Sequence, residues 1–454
     1  LGLKHPFSEV DAAGNTSEGP YLWVGEDSTE WTVMSYTERS ADLHARYSDF
    51  DIAALQYLYG PSRADVGNDT YILRDGILRY YNAHFFWDGG GADTIDGSQL
   101  TLPLSLYLAS GYLGHAGVQS DIISATDHFT VNFGTVIESA KGGSRNDTLV
   151  GNDADNRLWG NSGNDTLEGG AGNDTLDGGN GSDTASFQGV RADFTIMRTS
   201  TGYTVRTVPG ESDTLSNIER LSFIDASLDL DFVDVVQQLY VSYFGRAADP
   251  GGLSNFCAML ANAGAPTSIE GINSVYQTNA TVRSLVDAFG TSTESSTLYG
   301  GDTAAFVTAV FRNVLSRAPQ ESGLSFWCDA IDSGSLSKGN AALSIMAGAL
   351  QNTSEQGLLD AALINNKIRA ASNFTFAVDT AQETQSYRGS TAAAAVRSML
   401  SAVTASTDME SFQSNIHATI ASLNAGASAM REDVYYEANE VQVVGVSPSL
   451  DGVG

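Results

Sequence analysis

Between residues 142 and 186 the chain repeats a nine-residue unit: GGSRNDTLV (142–150), GNDADNRLW (151–159), GNSGNDTLE (160–168), GGAGNDTLD (169–177) and GGNGSDTAS (178–186). The shared pattern is G-G-x-G-x-D-x-U-x, with U apolar, and its chemistry follows from its order. The glycines permit a turn with positive φ. Carbonyls of that turn and the sixth-position carboxylate can point inward as hard oxygen ligands for Ca²⁺. The last three residues form a short strand whose U side chain fills a core. Two units close one turn of a parallel β-roll, so residues 18 apart stack. Asp147, Asp165 and Asp183 then line one edge, and Asn156 and Asp174 the other. The expected ligand residues are Gly142, Asp147, Asn156, Gly160, Gly163, Asp165, Gly169, Gly172, Asp174, Gly178, Gly181 and Asp183. Of the inter-turn sites 147/165, 156/174 and 165/183, the second lacks a charge at Asn156. The first has Arg145 where a glycine belongs, which leaves 165/183 the cleanest. A flexible Gly/Asp-rich linker would not keep an apolar residue at 149, 158, 167 and 176. Without calcium the stacked carboxylates repel, so folding is expected to be coupled to metal.

A second set of residues points to zinc. LGLKHP (1–6) is similar to the end of the metzincin motif H-E-x-x-H-x-x-G-x-x-H, with Gly2 and His5 three apart. Val33-Met34-Ser35-Tyr36 resembles the Met-turn, and the helical stretch DIAALQYLY (51–59) follows, ended by Gly60-Pro61. With the repeat, these motifs resemble the serralysins, secreted bacterial zinc proteases that join a metzincin domain to a calcium-binding RTX β-roll. The resemblance spans roughly residues 1–186. WDGGGADTIDGS (87–98) and VIESAKGGSRNDTLVGN (136–152) look like the segments that lead into the roll.

The resemblance implies roles. His5 would be the third zinc ligand, Tyr36 the additional Met-turn ligand that stabilises the transition state, and Met34 the floor beneath the metal. Further calcium sites would use Val66, Asn68 and Thr70, then Asp88, Gly90, Gly91 and Asp93, then Val136 and Glu138. The loop 63–70 departs from the family spacing. The first two zinc histidines and the glutamate base would lie before residue 1. The chain as written is therefore expected to be an inactive fragment of a zinc endopeptidase acting on proteins or peptides. The bland readings are that His5 is an ordinary surface histidine and that His44 is solvated or hydrogen-bonded. The alternative function is a calcium-dependent extracellular, surface-associated protein with a non-catalytic metzincin remnant.

These residues must be positioned by a multidomain chain. The 454 residues divide into a C-terminal remnant of a metzincin α+β catalytic domain (1–60), the calcium β-roll (61–190) and an antiparallel strand extension (191–230). An all-α region follows as a helical repeat domain (231–370) and a helical or loose tail (371–454). The strand extension is read from alternation at Phe194, Ile196, Tyr203, Val205, Leu221 and Phe223. In the helical region QLYVSYFGRAADPGGLSNFCAML (238–260) pairs with AVFRNVLSRAPQESGLSFWCDAI (309–331). This aligns Arg246 with Arg317, Gly252 with Gly323, Phe256 with Trp327 and Cys257 with Cys328. Phe256 and Trp327 are read as core and the cysteines as buried thiols rather than a bridge. The region resembles a bacterial family of unknown function, and a spacer or adhesion role toward a cell-surface ligand is the working hypothesis.

Charge narrows the partners. Lys+Arg number 23 and Asp+Glu 54, a net −31, which disfavours nucleic acid and anionic lipid. No run of about 20 apolar residues suggests membrane insertion. The chain opens on Leu1 without a signal peptide, and two cysteines exclude a disulfide-built fold. Low cytosolic calcium would keep the roll unfolded for a type I secretion apparatus, with folding outside the cell. The apolar end EVQVVGV (440–446) is compatible with that route.

Overall fold

A computed structural model describes residues 49–59, 66–75, 85–120, 127–207 and 210–433. His5, Met34, Tyr36, His44 and 440–446 lie outside the described residues. Of the expected 1–60 domain they include only α1 (Asp49–Tyr59), which by itself does not show a metzincin domain. Leu58 and Tyr59, expected on its inward stripe, are exposed. The chain forms two compact units, residues 1–191 with 205–227, and residues 192–204 with 228–454.

In the first unit the early strands are β1 (Thr70–Ile72), β2 (Phe85–Phe86), β3 (Thr94–Asp96), β4 (Leu104–Tyr107), β5 (Leu113–Ala116) and β6 (His128–Val131). Next come β7 (Ser139–Lys141), β8 (Thr148–Asn152), β9 (Arg157–Trp159), β10 (Thr166–Gly170), β11 (Thr175–Asp177) and β12 (Thr184–Ser186). Later in the chain, β15 (Ser212–Ser216) and β16 (Arg220–Ser222) belong to this unit, β13 (Phe194–Arg198) belongs to the second, and β14 (Tyr203–Thr207) and β17 (Ser227–Asp229) cross the division. Consecutive nonads alternate between two sheets. One runs β3-β7-β9-β11-β15, the other β4-β8-β10-β12-β16, all parallel. Thr148, Thr166 and Thr184 are in register, as are Ser139, Arg157 and Thr175, so the stacking interval is 18 residues. The U side chains form two internal columns, with Ile95, Ala140, Leu158, Leu176 and Leu215 in one. Leu106, Leu149, Leu167, Ala185 and Leu221 form the other, all almost wholly shielded from water.

The expected antiparallel extension needs correction in its second half, while β13 and β14 are sheet neighbours joined by a tight turn in which Thr199 N–H donates to the Gly202 carbonyl (2.9 Å). β15 and β16 pair in parallel with β11 and β12, adding one more irregular turn to the roll. Alternation alone cannot separate parallel from antiparallel strands, because both have a side-chain period of two. Antiparallel pairing does occur upstream, where β4, β5 and β6 form a meander.

The second unit is helical: α2 (Val233–Phe244), α3 (Pro250–Asn262), α4 (Ile269–Val275), α5 (Ala280–Thr291), α6 (Thr293–Tyr299) and α7 (Thr303–Leu315). It continues with α8 (Glu321–Asp332), α9 (Lys338–Gln351), α10 (Glu355–Ala377), α11 (Ala381–Ser386), α12 (Gly389–Ser401) and α13 (Met409–Asp433). Short polar side chains start most of them. Asp249, Ser268, Asn279, Ser292, Asp302, Ser337 and Ser354 each accept a first-turn N–H, and Thr380 with Glu383 forms a capping box. The core gathers Tyr240, Tyr243, Phe244, Phe256, Phe289 and Phe306, with neighbouring ring centroids 4.7–6.3 Å apart.

Two expectations change here. The boundary at 370/371 falls inside α10, whose 23 residues pack against α2, α9 and α13, so 371–433 is not a separate tail. The two copies of the repeat also differ in burial. Phe256 is buried, but α8 has no buried residue and Trp327 is only half-covered. Cys257 is a buried free thiol and Cys328 a half-buried one. Among the described residues no helix is long and apolar enough to cross a membrane.

Candidate calcium ladder

The 18-residue stacking turns single acids into a ladder. The N–H of Asp147 donates to Asp165 Oδ1 (2.7 Å), that of Asp165 to Asp183 Oδ1 (2.7 Å), and that of Asn156 to Asp174 Oδ1 (2.8 Å). These are the three expected pairs. The ladder also extends past the nonads. Leu104 N–H donates to Asp147 Oδ1, Asp183 N–H to Glu219 Oε2 and Asp174 N–H to Asp213 Oδ1. Glu219 and Asp213 were missed because their turns lack the glycines. The spacing acid-x-apolar, as in Asp213-Thr214-Leu215 and Glu219-Arg220-Leu221, was the available signal.

Asp147 thus spends both oxygens on backbone N–H groups, of Leu104 and Gly143, while the other aspartates spend one. The other oxygen of Asp93, Asp165, Asp174 and Asp183 is buried without any hydrogen-bond partner. A buried carboxylate oxygen with no donor is costly, and a hard cation would remove that cost. The surroundings fit one. A Cβ added to Gly160 would lie 2.4 Å from Asp165 Oδ2 and 2.5 Å from the Gly178 carbonyl oxygen. The same crowding of carboxylate and carbonyl recurs at Gly142 and Gly178, and Asp174 crowds Gly169. Only glycine leaves that oxygen-lined space open. The fourth-position residues Gly163, Gly172 and Gly181 hold φ of +128°, +111° and +147°, a region closed to ordinary side chains.

The two irregular sites differ as their residues dictate. Arg145 keeps a negative φ, and its Nε donates to the Thr101 carbonyl (3.2 Å). Asn156 turns its Nδ2 toward the carbonyls of Ile137 and Glu138 (3.4 and 3.3 Å). The amide thus carries its own donor to oxygens a cation could otherwise share.

Upstream of the nonads the ladder begins with a tighter cluster. Ligand oxygens of Asp69, Asp88 and Asp93 all lie within 4.8 Å of one another. Asp69 N–H donates to Asp93 Oδ1, and Asp93 N–H to Glu138 Oε2 (both 2.7 Å). Tyr71 hydroxyl and Gly90 N–H donate to Asp88 (both 2.7 Å). Burial and the Asp88 carboxylate push the Tyr71 phenol well above its usual range. Gly91 sits against the Gly67 carbonyl, and Asn68 accepts the Ala92 N–H through its side chain. Thr70 pairs with Thr94 in the sheet, and Val66 and Val136 are exposed. The Asp69 carboxylate was absent from the expected ligand set, which drew only on neighbouring positions of that loop.

Residues 141–176 and 150–185 match the RTX calcium-binding nonapeptide repeat, and residues 286–350 match a domain of unknown function, DUF4214. Over the repeat region the chain is 35% identical to a serralysin of Proteus mirabilis, across 34% of this chain and 33% of that protein. The repeat region is a serralysin-like RTX β-roll. Serralysin C of Dickeya chrysanthemi is 38% identical (33% of each chain), and metallopeptidase AprA of Pseudomonas marginalis 32% (34% and 35%). The chain spans about a third of the length of these curated relatives. The crystal structure of extracellular lipase LipA from Serratia marcescens overlaps 20% of this chain and 15% of its own at 20% identity. Its TM-score of 0.19 is too small to carry an argument.

Protons compete with calcium in this RTX β-roll. Burial, reinforced by neighbouring carboxylates, pushes Asp165 and Asp174 up to about 7 and Asp213 up to about 6. Asp93, Asp147 and Asp183 shift in the same direction, again mainly through burial. Folded pKa values above the unfolded ones mean that the metal-free fold holds more protons between about pH 4 and pH 7, so it gains stability as pH falls. Calcium must displace those protons. The calcium midpoint in a circular dichroism titration is therefore expected to rise as pH drops from about 8 to about 6. A midpoint that fell over that range would contradict the assignment of these acids as ligands.

Proposed function

We propose that this chain is the C-terminal part of a secreted, calcium-stabilised zinc metalloendopeptidase of the serralysin type. The observation that carries this reading is the 32–38% identity of the RTX region to serralysins and a related metallopeptidase. Gly2, His5, Met34 and Tyr36 agree with it in sequence. In that reading His5 and Tyr36 hold zinc from one side and Met34 lies beneath it. Zinc would supply a Lewis acid and a water of lowered pKa. The β-roll residues Asp88, Asp93, Glu138, Asp147, Asp165, Asp174 and Asp183 would hold structural calcium. Protein or peptide substrates, export through a type I secretion apparatus and an extracellular location belong to the same proposal. A surface so acidic argues against nucleic acid as a partner.

The 454 residues contain no H-E-x-x-H, so on their own they supply one imidazole of a three-ligand site. This chain, folded in calcium, is expected to hold no stoichiometric zinc and to show no caseinolytic activity. The gene product that includes the upstream segment is expected to show both. If that longer protein also lacked zinc and activity, the second reading would replace the first: a calcium-dependent surface-associated binder with a non-catalytic metzincin remnant. The helical unit favours that reading, since the serralysin match leaves it uncovered.

A further inference from the structure

We propose that a cleft in the helical unit binds a small organic monocarboxylate that carries an apolar body, independently of the calcium roll. The cleft encloses about 340 Å³ between α3, α6, α11 and α12. That volume suits a small molecule, at the low end of the roughly 300–1,000 Å³ typical of ligand pockets. Arginine guanidinium groups face it from three positions, Arg246, Arg388 and Arg397, against the acids Asp249 and Glu294. The lining is thus one charge positive on a chain with 31 excess negative charges.

The acids are already committed. Glu294 receives Nε and Nη2 of Arg246 (2.8 and 2.6 Å), with Arg397 Nη1 at 3.5 Å from its Oε1. Asp249 Oδ1 accepts the Gly252 N–H at the start of α3 (2.8 Å). Arg246 is further fixed by the rings of Tyr240, Phe244 and Tyr387, 5.1–5.8 Å from its guanidinium carbon. What remains for a ligand is Arg388, the loosely held Arg397 (contacts of 3.4 and 3.5 Å) and the start of α12. Arg388 occupies the N-cap position of that 13-residue helix, and its side chain caps nothing. The helix therefore presents its first N–H groups and the positive end of its dipole beside a charged arginine at the mouth of the cleft. Leu298, Tyr387 and Ala393 give the remaining wall an apolar character.

This combination selects a ligand class. One net positive charge and one open helix start match a single carboxylate better than a dianionic phosphate. The apolar wall favours a hydrocarbon body over a polyol. Such a carboxylate is offered by a free acid or by the C-terminal residue of a peptide.

Calorimetric titration of the whole chain, folded in calcium, distinguishes these cases. N-acetyl-leucine is expected to bind saturably and N-acetyl-leucinamide not to bind. Arg388→Glu and the milder Arg388→Gln, both at an exposed position, are expected to weaken N-acetyl-leucine binding about tenfold or more without changing the helical circular dichroism. A short peptide with a free C-terminal leucine binding at least as well would mark chain ends as the source. Its failure beside binding of N-acetyl-leucine would mark free acids. The proposal is overturned by equal binding of acid and amide, by inorganic phosphate competing as well as the acid does, by no binding of either acid probe, or by wild-type affinity in both Arg388 variants.

Discussion

Removing calcium at about pH 8 is expected to abolish the strand signal of the β-roll while leaving the helical signal in place. Asp93, Asp147, Asp165, Asp174 and Asp183 are almost wholly buried, and each is bonded to backbone N–H groups rather than to a cation of the protein. An unpaired buried charge costs several kcal/mol, and four of these groups keep an oxygen with no donor at all. Within the nonads the apolar filling that must offset this is two columns of one side chain per strand. That is too little for a metal-free roll with ionised ligands, so metal binding and folding become one equilibrium. Far-ultraviolet circular dichroism during EDTA addition and calcium return measures it. A roll that kept its strand signal in EDTA at that pH would sink the calcium assignment. Hydrogen exchange gives the same answer residue by residue, with Leu149, Leu158, Leu167 and Leu176 expected to lose protection together.

Truncating Arg246 to alanine is expected to cost the helical unit about 3–5 kcal/mol, because it leaves a buried carboxylate with only the longer Arg397 contact of 3.5 Å. The side chains of Arg246 and Glu294 are 6% and 9% exposed and meet in two parallel hydrogen bonds. Arg246 also donates to the Ala247 carbonyl (2.9 Å), and Tyr387 bonds that same carbonyl (2.6 Å). The internal repeat supplies the control. Arg317, at the equivalent position, makes a similar paired contact with Asp360, but its side chain is 45% exposed. Its loss leaves Asp360, itself only 6% exposed, with the Gln356 amide still donating and with water able to enter where the exposed arginine stood, so Arg317→Ala is expected to cost less, about 1–3 kcal/mol. Denaturant unfolding in calcium, followed by helical circular dichroism, separates the two. Equal losses at both positions would show that burial does not set the difference.

The roll was legible because its period writes chemistry and packing at the same positions. Asp165 and Leu167 repeat together, and no other arrangement buries one while stacking the other. The last turn was not legible, because Asp213 and Glu219 keep only the acid-x-apolar fragment of the pattern. The alternation around them is shared by both strand directions. Asp69 was missed for a related reason: its loop departs from the expected spacing. In the helical unit the internal repeat fell on the helix pairs α2–α3 and α7–α8, yet the boundary expected at 370/371 lies where α10 runs through without a break. The repeat gave equal weight to Phe256 and Trp327. Burial separates them, and burial depends on which helices pack over each copy.

The hydrogen bonds of the ladder all point one way. In every rung the N–H belongs to the earlier residue and the carboxylate to one later in the chain. The roll is therefore a polar one-dimensional lattice, and each layer is finished only by the layer after it. Asp213 and Glu219 finish the last regular layer from a turn without the glycine cradle, so growth has no next layer to call for. They act as an end plate. A nonad array cut after residue 186 would keep its repeats and lose its terminus. It would expose Asp174 and Asp183 N–H groups that seek carboxylates from another molecule, and stacking end to end would be the natural consequence.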